Sequence, residues 1–186
     1  MSGPLLRVEH LTKRFGGLAA NEDVSFDVAA GEIIGLIGPN GAGKTTVFNS
    51  LAGFFPPSSG EIRLDGRPVA GQPPERMAAL GVARTFQIVR IFKSMTVLEN
   101  VMVGAMLHHR AVGAATEKAR EALRFTGLDG RAHQPAGRLT VAEQKRLEVT
   151  RALACQPRLL LLDETMAGLT QTEVQEAVEM VRRIQA

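Results

Sequence analysis

A strand, a glycine-rich turn and a helix in direct succession constrain this chain more than any other feature. The apolar run Ile33 to Ile37 reads as a buried strand. The stretch GPNGAGKTT, Gly38 to Thr46, follows, and Val47 to Ala52 reads as a helix ending at Gly53. The turn matches G-x-x-x-x-G-K-[ST] in the strand–turn–helix context that gives the pattern its meaning. Gly38, Gly41 and Gly43 allow the backbone to curl so that its N–H groups point inward as an anion nest. Pro39, Asn40 and Ala42 complete the loop. The helix opening near Lys44 adds its positive dipole end. Lys44 can reach β and γ phosphates, the Thr45 hydroxyl can ligate Mg²⁺, and Thr46 can add a hydroxyl to an outer phosphate.

The rest of the composition narrows the partners. The 186 residues suit one domain, or one core with a smaller lobe. A net charge of +3 and the absence of Trp and Tyr argue against a nucleic-acid surface built on stacking platforms. The single cysteine, Cys155, permits no internal disulfide and reads as a packing residue. The N-terminus lacks the apolar core of a signal peptide, and no run reaches the ~20 apolar residues of a membrane span. Membrane association would therefore pass through a partner.

Along the chain, Leu5 to Leu11 and Val24 to Val28 alternate as strands, with the turn Arg14 to Gly17 between them. Phe15 in that turn is either a ring for stacking on a purine or a loop aromatic over the sheet. Glu61 to Leu64 is a short strand closed by Asp65-Gly66, and Pro73 to Leu80 is a short helix with Pro at its start. Gly81 to Gln87 is a strand. Gln87 stands where it gives way to loop, either as a site residue or as a surface glutamine. Ile88 to about Arg138 is helical in pattern and reads as a lobe inserted in the sheet domain. Thr96-x-x-Glu99, Thr140-x-x-Glu143 and Thr170-x-x-Glu173 are capping-box signatures. His108 and His109 are adjacent, so on a helix they diverge and make a poor metal pair. The four leucines Leu159 to Leu162 read as a central strand buried on both faces. That strand ends in Asp163-Glu164. A phosphate loop in the same chain gives this acidic pair a chemical use. Asp163 serves Mg²⁺ and Glu164 polarises the attacking water. Thr170 opens a last amphipathic helix with Val174, Ala177, Val178, Val181 and Ile184 as its stripe.

With these motifs in place, nearly the whole chain resembles the nucleotide-binding subunit of ABC transporters. The resemblance implies an α/β fold: a P-loop NTPase core with a small antiparallel β part and an inserted helical subdomain. It implies one nucleotide-binding domain over 1–186, with 1–87 and 155–186 as core and 88–154 as the helical part. Gly38 to Thr46 then corresponds to Walker A, Leu159 to Glu164 to Walker B with the catalytic glutamate, and Ala167 to Thr170 to the D-loop. Phe15 falls at the adenine-stacking aromatic. Gln87 falls at the glutamine that senses Mg²⁺ and the γ-phosphate. The strings LTKRFGGLAANEDVSFDV, GVARTFQIVRIF and MTVLENVMVGA look like importer ATPases for branched-chain amino acids, the LivG type. The implied ligands are ATP and Mg²⁺. The implied partners are a second ATP-binding subunit, identical or different, membrane permease subunits and, indirectly, a solute-binding protein. The implied place is the cytoplasmic face of the membrane.

Three departures stand out. The family signature LSGGQ is here Leu139, Thr140, Val141, Ala142 and Glu143. Both glycines are replaced, and Glu143 either brings negative charge near a polyphosphate, partly offset by Lys145 and Arg146, or caps its own helix. Thr165 takes the place of the usual proline after the catalytic glutamate. The chain also ends before the strand and loop that carry the family's switch histidine, which leads us to expect ATP binding with poor hydrolysis. Two other classes are compatible with the motifs: a soluble ABC ATPase acting on DNA or ribosomes, and a non-catalytic nucleotide-binding module.

Overall fold

The computed structural model describes residues 3–163 and 166–185. These fall into two compact units: residues 1–80 with 185–186, and residues 81–184.

The first unit is built on an antiparallel sheet. Strand β1 (Leu6–Phe15) turns at Gly16-Gly17 into β2 (Leu18–Val28). On its other side β1 pairs with β3 (Ser59–Leu64), and β3 turns at Asp65-Gly66 into the short β4 (Arg67–Pro68). The order is β2-β1-β3-β4. Alternation sends Leu6, Val8, Ile62 and Leu64 inward, each under a tenth exposed. Helices α1 (Lys44–Leu51) and α2 (Pro74–Ala79) complete the unit; Pro74 opens α2 because its missing N–H is not needed there.

The second unit is mainly helical. Strands β5 (Val82–Arg84) and β6 (Leu159–Leu161) form a parallel pair in register Val82 to Leu159. Helices α3 (Val97–Ala105), α4 (Val112–Thr126) and α5 (Val141–Ala154) bury Val97, Val101, Ala115, Ala119, Leu123 and Leu147 in one cluster. Two polar contacts are sealed into this packing. Asn100 accepts the Phe92 N–H at 2.8 Å and donates to Phe92 O and Thr96 O, fastening the preceding loop to α3. The Thr126 and Thr150 hydroxyls meet at 2.8 Å between α4 and α5. Gly104 lets α3 approach α5 closely, since a Cβ there would stand 2.3 Å from Arg151 O. Burial raises the Cys155 thiol pKa against the opposing charge of Arg151, in keeping with a packing role.

All three capping boxes form as the sequence signatures require. Thr96 and Thr140 each exchange side-chain and backbone bonds with the glutamate three residues on. Thr170 does the same with Glu173 at the start of α6 (Gln171–Gln185). The apolar stripe of α6 is present, but none of its residues is fully buried.

One expected element is absent. Ile33 to Ile37 pairs with no strand among the described residues and is not extended into a ladder. Ile33, Ile34, Leu36 and Ile37 are exposed, Ile37 at 93%. An apolar run becomes a strand only when neighbours accept its backbone hydrogen bonds, and among the described residues no strand pairs with this one.

Candidate nucleotide-binding site

Phe15 and Gly38 to Thr46 belong to the first unit. Gln87, Thr140 to Glu143 and Asp163 belong to the second. Glu164 and Thr165 lie outside the described residues.

In the first unit the loop curls around Lys44. The Lys44 ammonium donates to Gly38 O at 2.7 Å and Pro39 O at 2.9 Å. The ammonium is therefore held by the loop's own carbonyls. Gly43 precedes α1 with φ 83°, and no side chain caps the helix. A Cβ on Gly43 would lie 2.2 Å from Ala20 O and 2.4 Å from Asn21 Nδ2, so only glycine fits. No sequence motif marks Asn21. It is buried on β2, and its amide donates to Gly43 O at 3.2 Å. The backbone that presents the first turn of α1 is thus held from behind by the neighbouring sheet. Thr45 and Thr46 are half-buried on the first turn.

Phe15 is 49% exposed at the β1–β2 turn. Its ring meets Phe55 edge-on at 5.3 Å, and Lys13 lies over both rings at 5.1 and 4.8 Å. The ring is supported on one side and open on another, a geometry that suits stacking on a planar base.

In the second unit Asp163 follows β6 and is 4% exposed. Its backbone N–H donates to Thr85 Oγ1 at 3.1 Å, and Arg84 Nη2 donates to its Oδ2 at 2.9 Å. Burial pulls the Arg84 pKa down while the bond to Asp163 opposes that pull. No sequence pattern points to Arg84 either, because 79 residues separate it from Asp163. Gln87 is exposed just beyond β5, where strand gives way to loop.

Thr140 is the N-cap of α5, and Glu143 closes its capping box. Thr140 N–H donates to Glu143 Oε2 at 2.9 Å and Glu143 N–H to Thr140 Oγ1 at 3.2 Å. The bond from Thr140 N–H, with help from nearby Arg131, holds the Glu143 carboxyl below its usual range. Arg131 approaches it at 3.3 Å. Lys145 and Arg146, expected to offset this charge, are engaged elsewhere, with Ala167 O and Glu176. Val141 and Ala142 occupy the first turn, Val141 exposed. No helix among the described residues is long and apolar enough to cross a membrane.

The family model described as "ABC transporter" matches residues 21–167. The branched-chain amino acid transport ATP-binding protein BraF of Pseudomonas aeruginosa is 41% identical, over 100% of this chain and 79% of its own length. LivG of Salmonella typhimurium, a protein of the same description, is 42% identical over 99% of this chain and 78% of its own. Among solved structures, a nucleotide-free ATP-binding cassette from an ABC transporter superposes with TM-score 0.88 at 29% identity, covering 98% of this chain and 77% of that one. CbiO1 of Clostridium perfringens, part of an ABC transporter complex, gives TM-score 0.88 at 27% identity over 98% of this chain and 74% of its own. The family model and these relatives together show that this chain belongs to the ABC transporter family, as an ATP-binding subunit with the α/β P-loop ATPase fold.

Proposed function

We propose that this chain is the motor subunit of an importer for branched-chain amino acids. The observation that carries the reading is the loop closed around Lys44, in a chain that aligns along its whole length with 79% of BraF and 78% of LivG. Lys44 and the amides of Gly38 to Thr46 bind the phosphates, and Phe15 stacks on the adenine. Thr45 and Asp163 offer a hydroxyl and a carboxylate, hard oxygen donors of the kind Mg²⁺ takes in small number beside phosphates. Arg84 engages Asp163 through Oδ2, which leaves Oδ1 outside that pair. Mg²⁺ bound with the nucleotide supplies charge neutralisation at the β and γ phosphates. Gln87 senses the nucleotide and its metal, and Glu164 takes a proton from the attacking water.

Thr140, Val141, Ala142 and Glu143 open α5 toward the nucleotide of a second ATP-binding subunit. The pair works from the cytoplasmic face of the membrane through permease subunits, and a solute-binding protein delivers the amino acid to them. Nucleic acid has no part in this. The amino-acid class is supported by the relatives' names and by the sequence strings shared with the LivG type.

Calorimetry with Mg-ATP on the wild-type chain and on Lys44→Ala tests the first half. Binding heat in the wild type and none in the folded variant is expected; silence in both overturns it. Leucine uptake in a strain lacking its own importer ATPase tests the second. Restoration by the wild type and not by Lys44→Ala is expected, and restored uptake of another solute class alone overturns the assignment.

A further inference from the structure

Glu148 lies two turns beyond the N-terminus of α5 and is 2% exposed. A carboxylate so placed is costly unless its oxygens are taken. They are taken by the loop that carries Gln87. Glu148 Oε1 accepts the Arg90 N–H at 3.1 Å, and the Phe86 N–H also bonds to the carboxylate. Arg151, one turn on, stands 3.9 Å away. Phe86 and Arg90 bracket Gln87. The same loop is fixed by its aromatic ring: Arg84 lies over the Phe86 ring at 5.0 Å and Arg90 at 4.6 Å. One side chain of α5 therefore holds the Gln87 loop on both sides. The N-cap of that helix, Thr140, lies eight residues before Glu148, about 12 Å along a rigid rod.

We propose that Glu148 is a positioning residue that ties the Gln87 loop to α5, so that a displacement at Gln87 moves Thr140 to Glu143 with it. The proposal rests on the reading of Gln87 as the nucleotide sensor and of Thr140 to Glu143 as the face toward a second nucleotide. Glu148 acts through the backbone of the residues that flank Gln87. Its role is to make two distant parts of the site move as one body. A buried carboxylate does this better than an apolar residue, because it accepts backbone N–H groups that would otherwise be left unpaired.

The test uses Glu148→Leu, which removes the acceptor, and Glu148→Gln, which keeps one acceptor oxygen. In the chain without nucleotide, Glu148→Leu should speed hydrogen exchange at the Phe86 and Arg90 amides by about tenfold or more, with the β5 amides unchanged and Glu148→Gln intermediate. In the assembled transporter, kcat should fall by about tenfold in Glu148→Leu, with KM for ATP within about twofold and partial rescue in Glu148→Gln. Unchanged exchange at both amides overturns the link. So does a fall in ATP affinity that parallels the loss of turnover, since that reports general disruption of the unit. Failure of the underlying reading shows separately: Lys44→Ala would then match the wild type in Mg-ATP calorimetry, while the exchange experiment still decides the anchor.

Discussion

Arg84 Nη2 lies 2.9 Å from Asp163 Oδ2, and the two side chains are only 6% and 5% exposed. An adjacent strand thus provides the cation for the carboxylate at the end of β6. Breaking a buried pair from one side leaves a charge without compensation. Arg84→Leu should destabilise the second unit by about 3–5 kcal/mol in urea unfolding. The double variant Arg84→Leu with Asp163→Leu should recover most of that loss, which a double-mutant cycle measures.

Asn21 should matter for nucleotide although it carries no charge and lies behind the loop. Its bond to Gly43 O is one hydrogen bond, worth about 1 kcal/mol. Asn21→Ala should therefore weaken Mg-ATP binding by about fivefold, read by calorimetry. Asn21→Asp should weaken it further, because a carboxylate would face the Gly43 carbonyl with no proton to offer.

The capping boxes make an acid-sensitive feature. Glu143 is held below its usual range chiefly by the Thr140 N–H, so its folded pKa is depressed from the ordinary 4.5. A depressed carboxylate stabilises above its unfolded pKa, and the contribution is lost as pH falls through the folded value. Stability of α5 should thus decline below about pH 4.5. Glu143→Gln should lower stability at pH 7 by roughly what the wild type loses on acidification, since glutamine keeps the cap but not the charge, and should flatten the acid limb. Thermal unfolding between pH 3 and 7, as an approximate range spanning ordinary carboxylate titration, follows both effects.

Gly104 sets the separation of α3 and α5. Gly104→Ala would place a methyl group 2.3 Å from Arg151 O. The helices must part, at a cost of about 1–3 kcal/mol, visible as a lower urea midpoint with an unchanged slope.

Local signals were legible in the sequence and long-range ones were not. The phosphate loop is written in consecutive residues, and the three Thr-x-x-Glu boxes each span a single helical turn, so pattern alone located them. The fold class followed from the family resemblance. Arg84, Asn21 and Glu148 escaped for a common reason. Arg84 reads as an ordinary strand residue, Asn21 as a loop polar, Glu148 as a mid-helix glutamate. Each acquires its meaning from a partner 79, 22 or 58 residues away. The apolar run Ile33 to Ile37 failed in the opposite direction: its composition is that of a strand, but the ladder that would complete it is a tertiary fact.

That run has a practical meaning at the bench. Six neighbouring residues, Ile33 to Gly38, carry no charge and no proline, favour extended backbone and face solvent. Such a segment is a template for cross-β stacking between molecules. Purified chain should scatter light increasingly as it is concentrated, with β-rich deposits that bind amyloid dyes. A lysine at position 37, the most open of these sites, should act as a gatekeeper and keep the preparation clear.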